Sequence, residues 1–89
     1  MKAIITVIGK DRVGIIYNVS QILADNNVNV EDISQTIMQD YFTMMMLVDL
    51  SKLKCDFNTL KDILEKKGDE IGLSIRIQRE EIFKTMHTI

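Results

Sequence analysis

The run Ala3 to Ile8 (Ala-Ile-Ile-Thr-Val-Ile) stops at Gly9, and from Val13 the apolar residues follow a different period. β-Branched side chains suit a pleated strand, so the first run predicts a strand, and its nearly unbroken apolar character predicts burial on both faces. After it, Ile15, Ile16, Val19, Ile22 and Leu23 recur at spacings of three and four, opposite Asn18, Gln21 and Asp25. That stripe predicts an amphipathic helix stopping at Asn26-Asn27. A buried strand here hands over to a helix, and a sheet that the helix can pack against is expected.

The rest of the chain supplies that sheet. Val28 and Val30 are in step, but Ile33, Gln35 and Ile37 continue in the opposite parity, which predicts a bulge near Glu31-Asp32. Gln39-Asp40 turns the chain into Tyr41 to Leu50, with Phe42, Met44, Met46 and Val48 on one face and Met45 and Leu47 on the other. Asp56 is placed to cap a second helix whose inner stripe is Phe57, Leu60, Ile63, Leu64 and Ile71, with Gly72 as its stop and Gly68 a weak point inside it. Leu73, Ile75 and Ile77 alternate with Ser74, Arg76 and Gln78, giving a fourth strand with one dry face. The expected architecture is α+β, a ferredoxin-like βαββαβ sandwich in which a four-stranded antiparallel sheet carries two helices on one face. The domain is expected to span 1–80, with 81–89 a tail able to form a short helix from Ile82, Phe83 and Met86. The other sheet face is left open, with Met45, Leu47 and part of the first strand exposed there, and such a patch points to association.

Bulk properties narrow the function. At 89 residues there is room for one core and one site. A chain of this size buries only about 60 to 65% of its unfolded surface, so a partner copy would add stability. Eleven basic against thirteen acidic residues, for a net charge of -2, give no electrostatic reason to bind nucleic acid. The lone Cys55 excludes a disulfide framework or a cysteine metal cluster within the chain and fits a reducing cytoplasm. Met1 to Gly9 has neither the length nor the flanks of a signal peptide or membrane span, so no membrane role is expected.

Chemistry concentrates in Gly9-Lys10-Asp11-Arg12-Val13-Gly14-Ile15. Gly9 can adopt angles closed to other residues, and Gly14 lets a ligand approach the helix backbone. Unpaired amides in the first helical turn favour an anion, and Asp11 or Asn29 suits an ammonium group. The pair of features fits a free amino acid, with apolar walls giving selectivity. The same residues also suit a plain structural corner, in which Asp11 is an N-cap and Gly14 eases packing; residue chemistry alone favours this simpler reading. The glycine spacing is neither that of a Walker loop nor of a dinucleotide fingerprint.

Together with the βαββαβ order, the pattern Gly-x-Asp-Arg-x-Gly-Ile, a helix, and then Asn-Val-Asn-Val resembles the ACT domain family over Met1 to Glu80. Within it the chain is most similar to small stand-alone bacterial proteins that resemble each half of the glycine cleavage system transcriptional repressor. The resemblance implies a regulatory module that binds an amino acid between paired domains, the first loop of one facing the second strand of the other. It places Arg12, Gly14 and Asn29 at motif positions. Some amino-acid-binding members carry histidine where this chain has Gly9 and asparagine where it has Asp11. The expected ligand-binding set is therefore Gly9, Asp11, Arg12, Val13, Gly14, Ile15 and Asn29, in a homodimer.

Other features carry less. His87 has no orienting partner or fellow ligands in sequence, so neither catalysis nor metal binding is expected of it. No nucleophile, base and orienter occur together, so the chain reads as non-enzymatic, with no metal and no cofactor. Cys55 beside a helix start reads as an ordinary partly buried cysteine, Met44-Met45-Met46 as strand packing, and Lys66 to Glu70 as a solvated helix face. An RNA-binding sheet would need aromatic residues on its central strands, where this chain has Ile, Val and Met, and a metallochaperone would need paired cysteines in the first loop. The alternative from another class is a protein-interaction adaptor that docks a regulator or enzyme through its sheet face, with the corner purely structural.

Overall fold

A computed structural model describes residues 1–10 and 12–81. The elements run β1 (Lys2–Gly9), α1 (Arg12–Asp25), β2 (Asn29–Met38), β3 (Tyr41–Asp49), α2 (Phe57–Ile71) and β4 (Ser74–Arg79). The strands form one antiparallel sheet in the order β2-β3-β1-β4, the βαββαβ sandwich expected. The expected helix in the tail, with His87, lies outside the described residues.

Local chemistry explains the boundaries. α1 ends where Asn27 takes a left-handed conformation (φ 61°), while Asn26 donates from its side chain to the Ile22 carbonyl (2.8 Å). The β2–β3 hairpin closes through Gln39-Asp40, with Gln39 also left-handed (φ 55°) and Met38 paired with Tyr41. Asp56 caps α2 by accepting from the Thr59 N–H at 2.7 Å, and Gly72 ends it at φ 74°. The parity change in β2 is a bulge: pairing with β3 passes from Val30 to Asp32, leaving Glu31 over, and Glu31 forms an ion pair with Lys2 at 2.8 Å.

The core lies between the sheet and the helices. Ala3, Ile5 and Val7 of β1, Phe42, Met44, Met46 and Val48 of β3, and Ile75 and Ile77 of β4 meet Ile15, Val19 and Leu23 of α1 and Leu60 and Leu64 of α2. Three expectations need correction. β1 is buried on one face only, because Ile4 and Thr6 are half-buried and Ile8 is 41% exposed; its unbroken apolar run reflects a central strand of a sheet covered on one side. Ile16 and Ile71 stand at the solvent edge of their helices rather than in the inner stripes. Gly68 is a packing position rather than a weak point: it is buried, and a β-carbon there would lie 2.8 Å from the Leu73 carbonyl oxygen, so β4 can pass close to α2 only over glycine.

Candidate ligand site

The corner that leaves β1 is built by packing. Gly9 is buried and pairs with Phe42, and its φ lies outside the left-handed region that the sequence suggested it would use. Its missing side chain serves the core instead. A β-carbon at Gly9 would run into the Leu73 side chain and approach Ile15 Cδ1 to 3.1 Å. Ile15 is fully buried beneath the corner, so its side chain is a floor. Val13, 78% exposed, is the apolar residue of the corner that solvent reaches. The Gly14 carbonyl accepts from the Asn18 side chain at 2.8 Å. Arg12 opens α1, whose first turn from Arg12 onward contains no acidic residue. Asp11 and the Arg12 side chain lie outside what the structure describes. Beside the corner, the Lys10 ammonium stands 5.5 Å from the centre of the Tyr41 ring.

Asn29, the remaining member of the expected set, is not brought to the corner. It opens β2 opposite Asp49, which in turn pairs with Lys2, whereas Gly9 pairs with Phe42 and Phe42 with Ile37. Seven residue steps of β1 separate these two ends of the sheet, about 23 Å at ~3.3 Å per residue. Around Asn29 is a polar hollow of ≈ 340 Å³ lined by Asn27, Val28, Asn29, Asp49, Ser51 and Lys52. The Asp49 carboxylate accepts from the Ser51 N–H at 3.0 Å, which holds it below the usual aspartate range. The Asn27 side chain donates to the Lys52 carbonyl at 3.0 Å. Sequence reasoning missed Asp49, Ser51 and Lys52, whose one signal is that a carboxylate ends the apolar run of β3.

Among the described residues, further hollows of ≈ 230 to ≈ 550 Å³ lie between the helices, beside β4 and on the free sheet face. The Cys55 thiol is half-buried and lies 3.5 Å from the Asn26 side-chain oxygen. Among the described residues no group of three or more His, Cys, Asp or Glu side chains is placed to hold a metal ion, and no helix is long and apolar enough to cross a membrane.

A four-stranded antiparallel sheet with two helices in βαββαβ order is the ferredoxin-like architecture of ACT domains, small domains that typically bind ligands in regulation. The chain belongs to the ACT domain family, whose sequence profile matches residues 2–78. It is 58% identical to a UPF0237 protein of Clostridium acetobutylicum over the full length of both chains. It is 53% identical to a UPF0237 protein of Methanocaldococcus jannaschii, over 99% of this chain and 98% of that one. Relatives therefore occur in archaea as well as in the bacteria the sequence suggested. An ACT domain protein from Streptococcus pneumoniae has the same fold (TM-score 0.81, 46% identity, 94% of each chain). A candidate glycine cleavage system transcriptional repressor shares the fold over 88% of this chain and 44% of its own (TM-score 0.72, 24% identity).

Proposed function

We propose that the chain is a non-enzymatic regulatory domain that holds a small amino-acid-like ligand between two copies. The observation that carries this reading is the separation of the corner from Asn29 by the length of the sheet. The corner and the hollow around Asn29 lie at opposite ends of one copy, and a second copy turned end for end sets the corner of one beside the Asn29 end of the other. The ligand carboxylate then meets the amides opening α1, with Arg12 and Asp11 beside it. The ammonium group meets Asn29 and the Asp49 carboxylate beside it. Val13 faces the ligand side chain, while Gly9, Gly14 and Ile15 shape the corner backbone.

The edges of the sheet support such a pairing. β4 is a short edge carrying Arg76 and Arg79, residues that discourage strand addition. β2 is a ten-residue edge without proline or lysine, with Ile33 and Ile37 exposed. Paired antiparallel with itself about Gln35, β2 would match each Ile33 with the partner's Ile37 on the helix side of a continuous sheet. The half-buried free thiol of Cys55 suits the cytoplasm. Isothermal titration of the full chain against the common amino acids tests the reading. Heat of binding at one dyad-related site per copy is expected for at least one of them, and silence across all at millimolar concentration would overturn it.

A further inference from the structure

The free face of the sheet has a shape and a charge pattern of its own. Across it from β2 to β4 run two matched rows: Asp32, Leu47, Ile4 and Gln78, and then Ser34, Met45, Thr6 and Arg76. Met45, 36% exposed, stands as a knob with a hollow on either side. The larger, ≈ 550 Å³, opens over Thr6 toward Arg76 and is also lined by Lys61 and Glu65 of α2, and the smaller, ≈ 270 Å³, opens toward Asp32. The apolar centre is thus flanked by the Asp32 carboxylate on the β2 side and, on the β4 side, by Arg76 together with Lys61 and Glu65, a group of net positive charge.

We propose that this face docks a second copy of the chain, face to face, about a twofold axis running along the strands between β1 and β3. That operation lays β2 of one copy over β4 of the other. It sets each Met45 into the hollow above the partner's Thr6, and each Leu47 over the partner's Ile4. Asp32 and the partner's Arg76 become diagonal neighbours one row apart, about 7 Å along the strand and within reach of an arginine side chain. The alternative in-plane twofold, across the strands through the second row, sets Met45 against Met45 and Arg76 against Arg76. Knob meets knob and like charges meet, so the first arrangement is the complementary one.

The size of the face sets the strength. Four strands ~4.8 Å apart and about eight residues long present about 500 Å² per copy, or about 1,000 Å² for the pair. That is the lower bound of a specific interface, so the contact forms and dissociates with concentration. It is separate from the ligand-bearing contact, because parallel stacking leaves each Asn29 at the partner's own Asn29 end and leaves the edge of β2 free.

Sedimentation of the full chain over a range of concentrations tests the proposal, with thermal unfolding as the check on folding. Met45→Lys is expected to halve the mass reached at high concentration without lowering the unfolding temperature. Asp32→Arg and Arg76→Asp are each expected to weaken association by about tenfold, and the two together to restore it to within about threefold. Within one copy the two residues are three strand spacings, about 14 Å, apart, so rescue by exchange reports a contact between copies. A Met45→Lys mass curve that overlays the wild type, a double exchange no tighter than either single one, or a wild type monomeric throughout would each overturn it. The last result would leave the face to a partner of different chemistry.

Discussion

Leu73 and Gly68 meet twice: the Leu73 N–H donates to the Gly68 carbonyl at 2.8 Å, and the Leu73 carbonyl oxygen lies 2.8 Å from where a Gly68 β-carbon would be. This double approach fixes the turn from α2 into β4. Gly68→Ala would raise helix propensity by about 1 kcal/mol in an open helix. Here the added methyl meets backbone, which cannot rotate away, so a net loss of about 1 to 2 kcal/mol is expected. Urea unfolding followed by circular dichroism measures it, and a gain in midpoint would contradict the packing described.

The cap of α2 gives a pH dependence. Hydrogen bonds from Thr59 hold the Asp56 carboxyl below the usual aspartate range. A lowered folded-state pKa contributes stability that is complete above the ordinary aspartate pKa and is lost as pH falls through that range to the lowered value. Asp56→Asn keeps an acceptor for Thr59 without a titrating group, so its unfolding midpoint should approach that of the wild type as the pH is lowered. Parallel unfolding curves from pH 6 to pH 3 check this.

A site divided between copies can be reassembled from two defective halves. Arg12→Ala and Asn29→Ala are each expected to abolish ligand binding while leaving the fold intact. Mixed at equal concentration, half the pairs are heterodimers with one intact site of two, so about one quarter of the wild-type sites should return. Calorimetric stoichiometry of the mixture against the separate variants is the measurement, and no recovery would place the site within one copy.

Leu64 is fully buried between α2 and the sheet, whereas Ile37 on the β2 edge is 66% exposed. Leu64→Ala should cost about 2 to 5 kcal/mol of stability. Ile37→Ala should leave the unfolding of the isolated chain nearly unchanged and instead weaken self-association. Unfolding and sedimentation of both variants separate the core from the edge.

The parts of this fold that were legible in the sequence are those governed by near neighbours. The change of parity between Val30 and Ile33 marked the bulge at Glu31, Asp56 three residues before Thr59 marked a cap, and Gly72 marked a stop, because each rests on interactions within one turn or one strand. What was not legible depends on residues distant in sequence. Gly9 reads as a turn glycine until Leu73, from the other end of the chain, is seen to lie over it. Ile4 and Ile8 read as buried on both faces because an apolar run does not report how many faces of a sheet are covered. Residue chemistry and resemblance group Asn29 with the corner, but only the pairing of β1 with β3 and of β3 with β2 shows that within one copy they lie at opposite ends of the sheet.

That separation makes the domain answer to two concentrations at once. Under the proposed reading a lone copy holds only half a receptor, so ligand drives pairing and pairing creates affinity, each raising the other by the same factor. Dilution alone would then empty the site at constant ligand. A cell that makes more of the chain would sharpen its response to the same amount of amino acid, so the domain would register its own abundance along with that of its ligand.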